Sequence, residues 1–387
     1  MCGHRTPSFF ASSLSVFMMF LVLSCRGQQT GLRELKIGVV MPLSGGTATY
    51  GQETLKGLKM AVDEVNLRGG LKGNRIRLVV EDNRGKALPT AKAVQKLIDE
   101  EGVLVIIGAA TSSNTLAGAT VAQEGKTPML TPGSTSPLVT EVGDCISRVC
   151  YIDPFQGQAM AKFAYHTLKA RKAVLLWEEK STYSEGLTDY FQKEFERLGG
   201  AIVDRISYQQ GEEDFQVQMA RIKTLEGDVI YLPGYYPEVA RIIRKAVELN
   251  IDLPIIGGDG WESPKLFELA GDALGRGEGR YFFSSHFSIQ DTDPGVQEFV
   301  RSYKGRYKED PDAFAALGYD AGKMVAEAIL RAPQLTREAL KEAINTTTNF
   351  RGVTGTFSLN EKRNPVKSVI VLKVGANRFF FSQRVNP

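Results

Sequence analysis

The chain has 387 residues, and its 47 basic and 44 acidic residues give a formal net charge of +3. The hydrophobic fraction of 43% and the charged fraction of 24% are those of a globular protein, long enough for two domains of ordinary size. The near balance of charge, without a dense run of lysine and arginine, argues against a nucleic-acid-binding surface.

The N-terminal segment, residues 1–25, has the pattern of a bacterial export signal. Arg5 supplies the positive charge, and Phe9–Leu23 is an apolar segment too short and too rich in serine for a membrane span. It ends in Val22-Leu-Ser-Cys25, which resembles a lipobox with Cys25 as the lipidated first residue of the mature protein. A plain secretory signal with an incidental cysteine is the alternative. Several acyl chains on Cys25 would hold the protein stably at a membrane.

Two of the four cysteines, Cys2 and Cys25, belong to the predicted signal. The other two, Cys145 and Cys150, lie close together in a chain that is predicted to be exported. No nearby histidine or third cysteine completes a metal site, so these two residues are predicted to form a disulfide rather than to bind a metal. The sequence predicts neither a metal site nor a cofactor.

Apolar runs typical of buried parallel strands alternate with helical patterns in the first half of the chain. The predicted strands are Leu35–Met41, Ile76–Val80, Val103–Ile107 and Pro128–Leu130, and the predicted helices are Gly51–Asn66, Leu88–Glu101 and Leu116–Glu124. Strand and helix in alternation predict a parallel, doubly wound α/β sheet.

The same alternation restarts near residue 153 and predicts a second α/β unit. Its predicted strands are Ala173–Trp177, Ala201–Tyr208, Asp228–Leu232, Pro254–Ile256 and Gly279–Ser284, and its helices include Asp153–Ala170, Tyr183–Leu198 and Phe215–Leu225. Three later helices (Pro294–Lys308, Phe314–Arg331, Arg337–Asn345) and two strands (Val369–Val374, Phe379–Phe381) close the chain. We expect the long helices to return to the first unit, so that each lobe is assembled from separated segments.

Two clusters of hydroxyl residues follow neighbouring strands of the first predicted sheet. They are Gly108–Thr115, in which Ser112 or Ser113 would cap the next helix, and Thr131–Pro137. The first turn of a helix has unpaired N–H groups and a positive dipole potential, so it binds anions. Ordinary helix capping explains either cluster alone. Together they indicate a ligand crevice at the carboxyl ends of the strands.

Seven candidate ligand-binding residues lie just after predicted strands or at the start of the following helix: Tyr50, Ser112, Ser134, Thr135, Tyr183, Tyr235 and Asp259. Hydroxyls and helix amides suit a carboxylate, an aspartate suits an ammonium group, and tyrosines provide apolar walls with polar tips. The alternatives are partial core burial for each tyrosine and a turn between Gly258 and Gly260 for Asp259.

Catalytic signatures are missing from the sequence. It contains no Gly-x-Ser-x-Gly elbow, no phosphate-binding loop and no His-Glu-x-x-His motif. Of the three histidines, His4 belongs to the signal, and structural or surface roles are predicted for His166 and His286. The residues therefore favour a binding protein over an enzyme.

Six motifs in a fixed order resemble those of the branched-chain amino-acid-binding proteins, which are type I periplasmic binding proteins that serve ABC importers. The motifs are Ile37–Gly45 with Tyr50-Gly51, Ile107–Thr115, Thr131–Pro137, Tyr183–Gly186, Gly234–Glu238 and Gly257–Gly260. The resemblance covers nearly all of Leu35–Pro387 and implies two α/β lobes joined by three crossover strands, with the ligand closed between them. The implied boundaries are 34–152 and 286–357 for the N-terminal lobe, and 153–285 and 358–387 for the C-terminal lobe.

The resemblance also implies a role for each candidate residue. Ser112 would hold a ligand carboxylate, the backbone carbonyl of Ser134 would accept from the α-ammonium, and the Thr135 hydroxyl would contact both groups. Asp259 would pair with the ammonium. The aromatic walls would be Tyr50, Tyr183 and Tyr235. Some members have a disulfide near the Ser112 loop, but this chain has Thr111 at one of those positions, so the same bond is not expected here.

The implied function is an extracytoplasmic receptor for an aliphatic amino acid or a close analogue, in the periplasm or cell envelope and anchored by its lipid. Its partners would be the permease and ATPase subunits of an ABC importer. An amide or urea sensor of the same fold, acting with a signalling partner, is one alternative. An enzyme on a doubly wound scaffold is the other, and the absence of a nucleophile–base pair disfavours it.

Overall fold

The computed structural model describes residues 1–8 and 33–387, so the predicted lipidation site Cys25 lies outside the described residues. Arg33–Pro387 form one compact unit. None of the helices that the structure describes is long and apolar enough to cross a bilayer.

The first sheet has five parallel strands in the order β2-β1-β3-β4-β5. These strands are β1 (Arg33–Met41), β2 (Asn74–Asp82), β3 (Val105–Gly108), β4 (Met129–Thr131) and β5 (Ile146–Arg148), and the helices between them are α1 (Ala48–Leu67), α2 (Ala87–Asp99), α3 (Ser112–Glu124) and α4 (Leu138–Glu141). Every residue of β3, β4 and β5 is buried, as expected for parallel strands covered on both faces. The predicted doubly wound architecture is confirmed, although the sequence pattern missed β5.

The second sheet has seven strands, of which β6 (Lys172–Glu178), β7 (Ala201–Tyr208), β8 (Val229–Leu232), β9 (Ile255–Gly257) and β10 (Tyr281–Ser285) are parallel. The helical elements along this part of the chain are α5 (Asp153–Lys162), a π-helical segment (Phe163–Thr167), α6 (Thr182–Arg197), α7 (Gln216–Lys223), α8 (Tyr236–Glu248), a 3₁₀ turn (Asp259–Trp261), α9 (Lys265–Ala270) and α10 (Ala273–Arg276). The helix predicted to run without a break from Asp153 to Ala170 thus ends in a π-helical turn.

The remaining elements return to the first sheet and then to the second. They are α11 (Pro294–Tyr307), α12 (Ala313–Arg331), α13 (Arg337–Asn345), the hairpin β11 (Phe350–Gly352) and β12 (Gly355–Phe357), and the antiparallel strands β13 (Val369–Val374) and β14 (Phe379–Val385). Helix α12 packs on α1, and β13 pairs with β10 in the second sheet, where β14 forms the edge. The elements around each sheet therefore come from separated segments, because α12 packs on a helix of the first sheet and β13 extends the second sheet.

The predicted disulfide between Cys145 and Cys150 is wrong, since both cysteines are free. They lie on either side of β5 in sequence and pack into different hydrophobic clusters. A strand rises about 3.3 Å per residue, which separates the two ends by more than the roughly 7 Å that a disulfide spans. The Cys150 thiol instead donates to the Ser134 carbonyl at 3.2 Å.

Candidate ligand-binding site

The two hydroxyl clusters meet at the carboxyl edge of the first sheet, after the neighbouring strands β3 and β4. Helix α3 begins at Ser112 instead of at Leu116, and its N-cap residue is Thr111, which makes no side-chain capping hydrogen bond. The prediction that Ser112 or Ser113 caps this helix is therefore wrong. The Ser112 Oγ accepts from the backbone N–H of Ser136 at 3.2 Å, so it ties the first cluster to the second. Thr115 Oγ1 and Ser134 Oγ are 2.6 Å apart and form a second link.

A fully buried arginine holds the second cluster in place. Arg148 donates from Nη1 to the Ser134 carbonyl at 2.6 Å and from Nη2 to the Ser136 carbonyl at 2.7 Å. Burial lowers the pKa of this guanidinium. With the Cys150 thiol as a second donor, both lone pairs of the Ser134 carbonyl are engaged within the protein. The hydroxyl of Thr135, in contrast, is buried without a hydrogen-bond partner among the described residues.

Three tyrosines predicted as aromatic walls come together and are all buried. Tyr183 stacks on Tyr235 with ring centroids 5.3 Å apart, and Tyr50 lies 6.0 Å from Tyr235. Tyr50 also stacks on Phe314 of α12 at 4.2 Å. The sequence pattern gave no signal for Phe314, because its position depends on the packing of α12 against α1.

The acidic residue Asp259 begins the 3₁₀ turn that follows β9 and is only 4% exposed. Its Oδ1 accepts from the Tyr183 hydroxyl at 2.9 Å, and its backbone N–H donates to Gln156 Oε1 at 3.0 Å. Burial raises the pKa of the carboxyl to about 7, because the charged form is poorly solvated there. A cation placed beside Asp259 would offset this cost.

His286 contacts Asp259, although the sequence pattern predicted only a structural or surface role for it. Its Nε2 lies 3.0 Å from Asp259 Oδ2, and its ring stacks on Tyr151 with centroids 3.7 Å apart. Burial lowers the pKa of the imidazole well below its usual value. The parallel neighbours β9 and β10 end at one edge of the sheet, and Asp259 and His286 follow those two ends. The order of the strands was the missing information.

The predicted residues converge on a narrow crevice between the two sheets. Ala110, Thr111, Ser112 and Gly133 line one side, and Tyr183, Tyr235, Asp259 and Gly260 line the other. The crevice has a volume of about 10 Å³, roughly the space of a single water. A cavity of about 260 Å³ shares Thr111 and Tyr235 with it and also reaches Glu178. A ligand larger than water therefore requires the two sides to move apart.

Hydrogen bonds across this crevice hold its two sides together. The Tyr50 hydroxyl donates to the Gly260 carbonyl. The Thr49 and Ser263 hydroxyls are 2.9 Å apart, and the Tyr236 hydroxyl donates to the Gly46 carbonyl at 2.6 Å. Cavities of about 700 and 240 Å³ include neither hydroxyl cluster, and the first of them is lined in part by His286. We therefore assign the binding site to the crevice, where the polar groups converge.

Comparison with known proteins places the whole folded unit in one family. A family model described as periplasmic binding protein matches residues 34–378. A crystal structure of a leucine-binding protein, LivK, from Thermotoga maritima is 39% identical, covers 91% of this chain and 99% of its own, and superposes with a TM-score of 0.87. The substrate-binding protein LivJ of a branched-chain amino-acid transporter from Streptococcus pneumoniae, solved with isoleucine, is 30% identical, with 92% and 100% coverage and a TM-score of 0.86.

Sequence relatives agree with these structures. A Leu/Ile/Val-binding protein of Rhizobium johnstonii is 30% identical over 62% of this chain and 66% of its own length, so the chain spans about two thirds of that relative. A protein of Pseudomonas aeruginosa that binds leucine, isoleucine, valine, threonine and alanine is 26% identical over 85% of this chain and 86% of its own length. The chain therefore belongs to the periplasmic binding protein family, a family of receptors rather than enzymes.

Proposed function

We propose that this chain is the extracytoplasmic receptor of an ABC importer and that it binds an aliphatic amino acid between its two lobes. One observation carries the proposal. The start of a helix at Ser112 and the buried carboxyl of Asp259 line opposite sides of the same crevice. A zwitterion has one charge for each side, so both sides would be satisfied by one ligand. Relatives named as leucine-, isoleucine- and valine-binding proteins support this ligand class.

The carboxylate subsite in this proposal is the first turn of α3. Its backbone N–H groups have no partner within the helix and lie at the positive end of the dipole. Thr111 and Ser112 line the crevice at this turn, and their hydroxyls would add to these amides. Thr135, whose buried hydroxyl has no partner among the described residues, is proposed as a further contact of the ligand.

The ammonium subsite is Asp259, which the Tyr183 hydroxyl holds in place. A protonated amine beside this carboxyl would favour its ionised form and so lower its pKa from about 7. The stacked rings of Tyr183 and Tyr235, with Tyr50 beside them, would supply the apolar wall for the ligand side chain. Ser134 serves this site through the loop that it holds together.

The cellular setting follows from the same proposal. The receptor would deliver its ligand to the permease and ATPase subunits of the importer from the periplasm or cell envelope. We place the lobes at residues 34–152 with 286–357 and at residues 153–285 with 358–387. Cys25 is proposed as the lipid anchor because it directly follows the apolar part of the signal. Labelled fatty acid should be incorporated by the protein and by Cys2→Ser, and a Cys25→Ser variant that retains the label would contradict the anchor.

Calorimetric titration tests the ligand and its ammonium contact together. Leucine, isoleucine and valine are titrated beside 4-methylpentanoate, which lacks the amine, and beside small amides and urea. We expect Asp259→Asn to weaken leucine binding by at least about 30-fold, since an unpaired buried charge costs on the order of 2–5 kcal/mol. The same substitution should leave 4-methylpentanoate unaffected or improve its binding.

The matched control is Asp189→Asn, which changes a half-exposed aspartate paired with Arg205 on the surface. It should bind leucine as the unmodified protein does. Equal leucine affinity in Asp259→Asn and the unmodified protein would remove Asp259 from the site. Tighter binding of amides or urea than of any amino acid would favour the sensor function instead.

A further inference from the structure

The side chain of His286 has a single polar contact in the structure. Its Nε2 is 3.0 Å from Asp259 Oδ2, while its Nδ1 has no hydrogen-bond partner among the described residues. The ring is 3% exposed and lies against the Tyr151 ring at an angle of 26°. Stacking thus fixes the plane of the imidazole, and the one polar contact that it makes with described residues is directed at the carboxyl of Asp259.

The second carboxyl oxygen of Asp259 faces a hydroxyl whose direction is also fixed. The Tyr183 hydroxyl accepts from the Gly260 N–H at 3.1 Å, so its own hydrogen is free to point at Asp259 Oδ1, 2.9 Å away. With the imidazole proton on Nε2, each oxygen of Asp259 would accept one hydrogen bond. Two donors of this kind stabilise the ionised carboxylate and fix its rotamer.

We propose that His286 is a positioning residue of the ammonium subsite, which donates Nε2–H to Asp259 and so keeps this carboxylate ionised and oriented towards an amine ligand. The inference rests on the proposed amino-acid-binding function. His286 directly follows β10, and its stacking partner Tyr151 lies between β5 and α5, where the chain passes from the first sheet to the second. The orientation of Asp259 is therefore tied to segments that connect the two sheets.

The proposal predicts that the affinity for an amine ligand depends on pH. Burial raises the pKa of Asp259 to about 7, so below that pH a proton competes with the ammonium group for the same carboxylate. Amine binding must expel this proton, and affinity should rise with pH until the free protein has lost it. Without the imidazole donor the carboxylate is less stable, so the rise should occur at higher pH.

Other titratable groups face this pair, and three of them, Asp153, Glu262 and Lys367, titrate in the same pH range. Burial raises the pKa of Asp153 at the start of α5 and that of Glu262 after the 3₁₀ turn, each to about 7. Tyr151 and Tyr183 face Asp259, and burial raises the pKa of both hydroxyls. Lys367 faces His286, and burial lowers the pKa of its amine to about 8. All variants share these groups, so a difference between variants isolates His286.

The test is leucine titration between pH 5.5 and 8.5 with the purified full chain and three variants. His286→Phe keeps the ring stacking and removes the donor, and we expect about tenfold weaker binding at pH 7 with the rise in affinity displaced upwards by about one pH unit. His286→Gln retains an N–H donor and should recover most of the loss. His166→Gln, at an exposed histidine, is the control and should change nothing.

Several results would overturn the inference. They are an unchanged pH profile in His286→Phe, an equal loss of affinity at every pH, or a His286→Gln variant no better than His286→Phe. If His286→Phe does not fold, nitrogen NMR of the imidazole in the unmodified protein decides. Neutral His286 with its proton on Nε2 supports the inference, and a proton on Nδ1 alone refutes it. An unmodified protein that binds no amino acid refutes the proposed function itself, which separates the two failures.

Discussion

Among single residues, Glu178 shows how burial can keep a carboxyl group uncharged at neutral pH. Glu178 ends β6, is 3% exposed, and has an Oε2 atom without a hydrogen-bond partner in the described part of the chain. Burial raises the pKa of Glu178 to about 8, and the neighbouring Glu238 adds to the increase. The protonated form is therefore the one that the folded protein accommodates at neutral pH.

Replacing Glu178 with glutamine should stabilise the protein at alkaline pH. The folded state holds the Glu178 proton up to a pH of about 8, whereas the unfolded chain releases it near pH 4.3. The protonated carboxyl thus contributes to the stability of the fold, fully below about pH 4, and this contribution is lost as the pH rises through the folded pKa. We expect the free energy of unfolding of Glu178→Gln to exceed that of the unmodified protein by on the order of 1–3 kcal/mol at pH 8.5. At pH 4.5 the two values should differ little.

Urea unfolding at the two pH values measures this difference. The control is Glu196→Gln, which alters an exposed glutamate on α6 and should show no pH-dependent gain. A Glu178→Gln variant with the same pH dependence as the unmodified protein would mean that Glu178 is ionised and paired in the folded state.

The two free cysteines give a second prediction for single residues. Burial raises the pKa of the Cys150 thiol to about 12 and raises that of Cys145 as well, so the reactive thiolate is scarce at both positions. We expect neither thiol to react with an alkylating reagent in the native protein, and both to react after denaturation without a reductant. Mass spectrometry of the peptides checks this, and a peptide with Cys145 linked to Cys150 would show that the disulfide forms after all.

Among the elements, the contact of α1 with α12 depends on a close approach of the two helix backbones. Both helices have a glycine at the crossing, Gly57 on α1 and Gly318 on α12. A Cβ added at Gly57 would lie 1.8 Å from the Ala315 carbonyl oxygen, and one at Gly318 would lie 2.1 Å from the Thr54 carbonyl oxygen. The helix backbones are in direct contact here, which only glycine permits. This contact also sets the position of Phe314, which stacks on Tyr50.

Gly57→Ala and Gly318→Ala should each destabilise the protein. The added methyl group meets backbone atoms, so α12 must shift, and overpacking of this kind costs roughly 1–3 kcal/mol or more. Gly305→Ala is the matched control, because this exposed glycine of α11 has open space around it and should gain roughly 0.5–1 kcal/mol from helix propensity. Thermal or urea unfolding measures all three. A Gly57→Ala variant as stable as Gly305→Ala would contradict the close helix contact.

Across the whole molecule, the two sides of the crevice of about 10 Å³ meet through a few hydrogen bonds and through the contact of the Tyr50 ring with the Tyr235 ring. The Tyr50 hydroxyl, the Thr49–Ser263 pair and the Ser113–Thr182 pair all join groups on opposite sides. Each such hydrogen bond is worth roughly 0.5–1.5 kcal/mol net, so together they favour the closed arrangement only modestly. We therefore expect the crevice to open by a hinge motion of the segments that connect the two sheets. A bound ligand would add contacts to the closed state alone and so favour it.

Small-angle scattering should therefore show a smaller radius of gyration with saturating leucine than without it. Tyr50→Phe removes the hydroxyl that donates to the Gly260 carbonyl, which shifts the free protein towards the open state. We expect this variant to bind leucine up to about tenfold more weakly and to show a larger change in radius. Tyr319→Phe is the control, because that hydroxyl bonds Glu64 of α1 within the first lobe. Identical radii with and without leucine in all three proteins would contradict the hinge.

The sequence by itself predicted the architecture and the region of the site. Apolar runs that alternate with amphipathic segments indicate a parallel sheet covered by helices, so the α/β class followed from local pattern. Residues placed just after strands, such as Ser112 and Asp259, were predicted at the crevice, because the ends of parallel strands meet at one edge of a sheet. Their assignment as ligand contacts stays a prediction until binding is measured.

Only the tertiary structure decided which side chains meet. His286 reaches Asp259 because β9 and β10 are neighbours, and Phe314 reaches Tyr50 because α12 crosses α1, yet neither adjacency is written in local periodicity. Cys150 is likewise a free thiol because its side chain faces the Ser134 carbonyl and not Cys145. Spacing along the chain fixes which groups can lie at an edge. Strand order and helix packing fix their partners, because those contacts join residues far apart in sequence.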